Sequence, residues 1–380
     1  IGTAHCRWFH FAPGALPFGL AKPASATNAS LGNKGGWEAT GYDYRDTSIE
    51  GFPCLHEFQV GGIVLMPTTG ELKTVPGAVN SNGEGYRSEF DHKDEIARPG
   101  YYSVLLKDYQ VKAELTATKR VAYQRFTFPE GKQSHILFDI GNRQGESGEA
   151  QDAEVVITDE GLIEGWVETL PLYCNKYQKG ATVKMYFSAS LDKKPVRVGT
   201  FRKKEIFEDQ KQVKGVGAGA YLTFETSENE AVTAKVGLSY TSVDNARLNR
   251  EIETDNDSLS FDDVKLAAAQ TWEEYLGRIR VESSSKDDKV KFYTGLYHAI
   301  LGRGLASDVN GAYPKNDGTI GQLPMKDGKP AFSFYNTDGL WGGQWGLTQV
   351  WALAYPEYLS DYVSTHVQVY KDAGWMGDGI

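Results

Sequence analysis

The feature that most limits how this chain can fold is a change of hydrophobic period near Asn245. Upstream, apolar residues recur at every second position; downstream they recur at every third or fourth. Period two puts side chains alternately on the two faces of a strand, and a period near 3.6 gathers them on one side of a helix. In 114–128, Leu115, Ala117, Lys119, Val121, Tyr123, Arg125 and Thr127 alternate against their neighbours, with β-branched and aromatic residues enriched. Similar runs are YYSVLLKDY, SHILFDI, AEVVITD, LIEGWVETL, TVKMYFSAS, AYLTFET and TAKVGLSYTS, divided by turn-forming pieces such as FPEGKQ and DEGL. Short strands at this spacing predict a β-sandwich of roughly 10 or more strands.

Beyond the switch, Val264, Ala268, Trp272, Tyr275 and Ile279 step by four, four, three and four behind the capping candidates Ser260 and Asp262, which predicts a helix. A second helix carries the stripe Val290, Tyr293, Tyr297 and Ile300. The stretch 336–358 scans as a third, and a fourth turns Leu359, Tyr362 or Val363, Val367 and Tyr370 inward. Strands followed by helices imply two domains. We expect a sandwich domain over 1–245, a linker over 246–260 and a helical domain over 261–380. The charge-dense piece 283–291 reads as a solvated loop entering the second helix.

A net charge of −10 and a pI near 5.3 argue against nucleic acid or an anionic membrane as the main partner, because phosphate binding needs a basic face. No run of about 20 apolar residues spans a bilayer. Cys6, Cys54 and Cys174 are too far apart for a local zinc pattern and leave one over. The chain opens at Ile1 without a signal segment and stops after the turn-like KDAGWMGDGI, so both ends read as cuts.

There is no phosphate loop, nucleophile elbow, HExxH or CxxC. Carboxylates, aromatics and scattered histidines remain. They are the equipment of glycoside hydrolysis, which uses two carboxyl groups, with aromatic faces to hold the sugar. In 336–358, Trp341, Trp345 and Thr348 share one helical sector with Gln344 at its flank, while Leu347, Val350, Trp351 and Ala354 share another. Trp351 reads as core; Trp341 and Trp345 beside Gln344 read as either core or ligand wall. Gly342, Gly343 and Gly346 read as sites of close helix packing or as a segment that is partly loop. The proline-rich piece around His10 is a shaped loop, and that histidine taken alone reads as structural. GGWEATGYDYRD displays Trp37, Glu38, Tyr42 and Asp43, and His56 with Glu57 stands just before a strand.

These residues carry a family resemblance. IGTAHCRWFHFAPGALPFGL, IEGFPCLHEFQVGGIVLMPTTG, the block 86–129, KVGLSYTSVDNARLN, FYTGLYHAILGRGLASDVNGAY and GLWGGQWGLTQVWALAYPEY resemble the calcium-dependent α-mannosidases of glycoside hydrolase family 92, in order and over nearly the whole chain. The resemblance implies a multidomain fold, β then α: an N-terminal β-sandwich followed by the first helices of an (α/α)6 barrel, truncated at the C-terminus. It implies removal of terminal α-linked mannose from glycans with inversion, calcium as cofactor, and a periplasmic or extracellular bacterial setting. The catalytic acid and base, and most calcium contacts, would come from beyond Ile380.

Carried over residue by residue, His10 matches the histidine loop before the family's PGA turn. Trp37 resembles the aromatic that meets the leaving-group sugar. Trp341 matches the tryptophan of a frequent LWD motif, but Gly342 stands where its Asp would be, so a hydroxyl-binding carboxylate is missing there. Gln344 or Asp338 would take over part of that bonding, and GWMGDG places Trp375 and Asp378 at a barrel loop. Two other readings stay open: a non-catalytic carbohydrate-binding protein on this scaffold, and an exo-glycosidase for another sugar.

Overall fold

The computed structural model describes residues 3, 11–27, 41–57, 60–78, 83–141, 148–171, 175–176, 179–337 and 340–376. The alternating half forms two antiparallel sheets packed face to face. Across the larger run nine strands: Gln212–Lys214, Ala150–Ile157, Ile163–Thr169, Val183–Leu191, Glu230–Ser239, Val121–Phe128, Val111–Ala117, Tyr101–Leu106 and Ile96–Arg98. Across the smaller run six: Glu205–Glu208, Arg197–Arg202, Ala218–Thr226, Gly131–Asp139, Val60–Thr69 and Phe52–Glu57. Alternation explains the layering. In Ala150–Ile157, Ala153, Val155 and Ile157 are buried between the sheets, while Glu154 and Val156 are only half-buried on the outer face. Phe138 and Phe187 meet across the core with ring centroids 6.2 Å apart.

The alternation in 114–128 is not one strand. Ala117 pairs with Ala122 around a turn at 118–120 without Gly, Pro, Asn or Asp, where the Thr118 hydroxyl accepts from Val121 N–H at 3.1 Å. Tertiary structure adds to this local bond: the Glu253 carboxylate accepts from the Arg120 backbone N–H at 2.7 Å, the Thr118 hydroxyl at 2.5 Å and the Arg120 guanidinium at 2.7 Å.

Glu253 ends helix α1, Val243–Glu253, capped by Ser242. This helix occupies much of the stretch read as a linker and packs on Val183–Leu191 and Glu230–Ser239. Helix α2, Phe261–Gly277, begins at Ser260 with Asp263, not Asp262, completing a capping box. Its Val264, Ala268 and Trp272 are buried, as their spacing predicts. The charged piece 283–291 is mostly helix: α3, Lys286–Ala299, starts inside it at Ser285, whose side chain accepts from Asp288 N–H.

The stretch 336–358 is three pieces rather than one helix: α4, Leu340–Gly343; α5, Leu347–Ala354; and the start of α6, Pro356–Ala373. Gly346 breaks it, at φ +135°, where a side chain is strained. The close-packing reading of the glycines fails. A Cβ on Gly342 or Gly346 would meet nothing within 4 Å, and on Gly343 only the Thr348 methyl at 3.8 Å. Gly346→Ala is therefore expected to cost about 1–3 kcal/mol in a thermal melt, whereas Gly342→Ala stabilises by about 0.4–1 kcal/mol. Equal melts for the two variants would remove this account. On α6 the inward face is Tyr358, Tyr362, Thr365 and Val369; Val363, Val367 and Tyr370, expected inside, are exposed. No described helix is long and apolar enough to cross a membrane.

Candidate functional site

The segment 11–27 runs as a strap between sandwich and helices. Phe18 N–H donates to Ile300 O at 2.9 Å, and Leu305 N–H returns a bond to Phe18 O at 2.9 Å. The Trp272 indole N–H donates to Ala15 O at 2.7 Å. Two residues further on from Leu20, the strap buries a charge. Lys22 pairs with Glu57, both side chains 1% exposed, and the same carboxylate accepts Gly304 N–H at 2.8 Å. Gly304 has no room for a side chain, because a Cβ would overlap Glu57 Oε1 and Gly19 O. Close backbone approach is the reason for glycine there.

Beside the strap lies a cavity of about 440 Å³. The sandwich side supplies Phe11, Pro13, Tyr42, Tyr44, Glu95 and Pro99; the helices supply Leu276, Val290, Tyr293, Thr294, Tyr297 and His298. The stripe on α3 read from sequence thus faces a cavity along much of its length. Its polar floor is built around Glu95, whose carboxylate accepts from the Tyr42 hydroxyl at 2.9 Å and the Tyr102 hydroxyl at 2.6 Å. His92 Nδ1 lies 2.7 Å from the same carboxylate, its Nε2 donates to Tyr44 O at 2.6 Å, and the Tyr44 ring stacks on it at 3.9 Å. Burial, then the charge of Glu95, push the Tyr42 and Tyr102 phenols well above their ordinary range, so both stay protonated and keep donating.

This arrangement can bind a sugar ring: flat faces on the walls, with a carboxylate, a hydroxyl and a histidine for the hydroxyl groups. It holds one lining carboxylate, and hydrolysis by the two-carboxylate route needs two. The described lining is therefore not a complete two-carboxylate reaction centre.

Of the residues expected at a ligand, His10, Trp37, Glu38, Asp338 and Asp378 lie outside the described residues. Trp341 falls on α4. His56 is buried, stacked on Phe11 at 4.7 Å with Nδ1 3.0 Å from Lys22 O, and it does not line the cavity, whereas Phe11 does. Gln344 is exposed, Trp345 is 75% exposed and Trp375 is 53% exposed; none of the three lines the cavity. Trp351 is core, as read. Glu95, His92 and Tyr102 were missed. A His and a Glu three apart in DHKDE were the available signal, and nothing local ties them to Tyr42.

A β-sandwich strapped to a set of helices, with an aromatic cleft at the seam, defines the class of build: β then α. The comparisons narrow it. Residues 1–239 match the glycosyl hydrolase family 92 N-terminal domain and residues 245–380 its catalytic domain. The chain belongs to glycoside hydrolase family 92. A family GH92 α-mannosidase from Bacteroides thetaiotaomicron, also solved with mannoimidazole, is 27% identical with a TM-score of 0.87, over 98% of this chain and 48% of that one. A family GH92 inverting mannosidase from the same organism is 22% identical with a TM-score of 0.78, over 98% and 47%, and shares the fold. A secreted glycosidase of Arthroderma benhamiae is 28% identical over 334 residues, 79% of this chain and 40% of that protein. The chain thus spans about half the length of the solved relatives it matches.

Calcium takes 6–8 oxygen ligands, and the described residues do not fit it. Among them no group of three or more His, Cys, Asp or Glu could hold a metal. Glu57 Oε1 is taken by Lys22 and Gly304, leaving its buried Oε2 as a single oxygen without a partner, too few for calcium, and Glu95 is held by two phenols and a histidine.

Proposed function

We propose that this chain supplies the sandwich, 1–245, and the opening helices, 261–380, of an exo-α-mannosidase that removes terminal α-linked mannose from glycans with inversion, outside the cytoplasm. The observation that carries this reading is the aromatic cavity at the domain seam. Its volume falls within the roughly 300–1,000 Å³ usual for small-molecule sites, and its floor is a fixed carboxylate ringed by protonated donors. Because Glu95 is held by Tyr42, Tyr102 and His92, a family member whose seam binds saccharide needs two carboxyl groups besides it. One, protonated, donates to the leaving oxygen; the other activates water, the pair being roughly 6.5–9.5 Å apart. We assign both, and the calcium ligands, to residues other than those described. Trp341, with His10 and Trp37, is proposed to extend the wall toward the reacting sugar.

The test uses the natural protein containing this chain, incubated with aryl glycosides of several sugars and with α-linked mannobiose. The expected result is mannose released first as the β-anomer, seen by proton NMR, with activity lost on chelation and restored by calcium. The 380-residue chain alone is expected to bind mannose weakly and release none; turnover by it would falsify the assignment of the carboxylates. Binding without turnover by the natural protein would establish the non-catalytic reading instead. Turnover confined to another sugar would establish a different exo-glycosidase.

A further inference from the structure

We propose that His92 positions the sandwich side of the seam cavity through its own proton: the wall is held while this histidine is an imidazolium and loosens when the proton leaves. Geometry sets the charge. Nε2 lies 2.6 Å from Tyr44 O, and Nδ1 lies 2.7 Å from Glu95 Oε2. A carbonyl oxygen can only accept. Glu95 already accepts from the Tyr42 and Tyr102 hydroxyls, so it is the anion of the group. Both ring nitrogens therefore donate, whereas a neutral imidazole has one N–H and can serve one partner but not both.

The two partners are two parts of one wall, since Tyr42, Tyr44 and Glu95 all line the cavity. Glu95 fixes Tyr42 from the floor. Tyr44 is 51% exposed at the mouth. Among the described residues it is tied down by its N–H on Thr3 O at 3.1 Å and by His92, through the carbonyl bond and a ring stack at 3.9 Å with 11° between the planes. The stack also gains from charge, because a cation over a phenol ring is attracted by its face. Loss of the proton leaves either a lone pair against the Glu95 carboxylate or Tyr44 O without its donor. In both cases the loop 41–46 and the floor lose the link they share.

The surrounding charges do not replace that link. On the turn of His92, Asp91 pairs with Lys93 at 3.2 Å and with Lys107, just past the strand Tyr101–Leu106, at 3.4 Å; Asp94 follows on the same turn without an ion pair among the described residues. On the facing loop Asp43 holds Arg45, and Asp46 accepts from the Thr27 hydroxyl at 2.7 Å. The phenols are those of Tyr42, Tyr44 and Tyr102. Glu95 is the carboxylate in contact with the ring, so the sign is fixed: the acid side holds the wall and the alkaline side releases it. This regulates the seam already described, and it rests on the mannosidase reading only for the ligand.

Long-range proton–nitrogen correlation NMR of the chain reads the protonation of the His92 ring directly, and hydrogen exchange of the loop 41–46, corrected for the intrinsic pH dependence of exchange, reads its opening. The expected result is an imidazolium at low pH, with the Tyr44 amide about tenfold better protected than after the proton has left, the worth of one charge-assisted hydrogen bond. His92→Gln, which cannot carry the charge, should be poorly protected at every pH. His92→Arg, planar and permanently charged, should be protected at every pH. The parent's own titration decides the matter even where a variant fails to fold. In the natural protein, KM for α-linked mannobiose should rise about tenfold across the same titration in the parent, stay high in His92→Gln and stay low in His92→Arg. A neutral His92 ring at every pH, loop protection that does not change as the proton leaves, or parent-like pH dependence in His92→Gln would overturn the proposal. Protection that follows the proton, in a natural protein that turns over no mannoside, would uphold it while removing the mannosidase reading.

Discussion

Lys22→Met is expected to lower the unfolding free energy by about 3–5 kcal/mol, the cost of leaving one member of a buried ion pair uncompensated. Both side chains of the Lys22–Glu57 pair are 1% exposed, so neither can turn to water. Removing the ammonium strands a carboxylate whose remaining polar contact is Gly304 N–H, and one backbone donor cannot replace a full charge. A companion change isolates the cause. Glu57→Gln removes the charge but keeps an oxygen for Gly304, so the double variant Lys22→Met with Glu57→Gln should recover most of the loss. Exchanging both members of a buried pair is often close to neutral. Urea midpoints for the parent, both single variants and the double variant, followed by tryptophan fluorescence, decide the matter. A single variant as stable as the parent, or a double variant no better than the single, would show that the seam carries no coupled charge.

Much of the fold was legible because burial follows chemistry along the chain. Ala150–Ile157 reads as a strand with one inner face and folds as one. The helix behind Ser260 buries the stripe its spacing names. Legibility failed where a distant residue does what a local signal usually does. Thr118–Lys119–Arg120 carries only the weak turn signal of Thr118, whose hydroxyl bonds Val121 N–H; Glu253, 133 residues away from Arg120, reinforces the reversal by receiving its donors. Residues 246–260 looked like a linker because α1 is short and polar; what fixes it is packing against the sheet rather than its own apolar content. In 336–358 the glycines allowed either a closely packed helix or a segment that is partly loop; the second holds, because Gly346 takes a backbone angle that only glycine reaches without strain.

The site was less legible than the fold. Aromatics scattered through a sequence do not say which of them face a common space. Tyr42 and Glu95 meet across 53 positions, and Tyr293 and Tyr297 reach the same cavity from the other domain. Trp345 stood out by type and spacing, yet it projects into solvent. His56 stood out by type as well, and the structure uses it to support Phe11 and hold the strap. Residue type pointed to sugar chemistry; only the crossing of two domains picked out the residues.

That crossing depends on Phe18, and Phe18→Ala is expected to destabilise the chain by about 3–5 kcal/mol, the usual cost of emptying a phenylalanine site in a core. The ring leaves the strap and enters the helical aromatic cluster. It stacks on Tyr358 at 3.5 Å with an interplanar angle of 12°, and it meets Trp351 and Tyr355 edge-on at 6.2 Å each and Tyr275 and Tyr335 at 6.4 Å. Few residues are so placed that one side chain couples two domains. The backbone offers a control, since Phe18 sits at φ +53°, a left-handed conformation costly for any residue but glycine. Phe18→Gly empties the same space but relieves that strain, so it should be about 1 kcal/mol milder than Phe18→Ala. Circular dichroism melts should show the helices loosening before the sheets in both variants, because the sandwich keeps its own core while the helical cluster loses its central ring. Should Phe18→Ala melt with the parent, or should sheets and helices still unfold together at an unchanged midpoint, the strap would be a passive connection, and the cavity beside it would owe its shape to the domains alone.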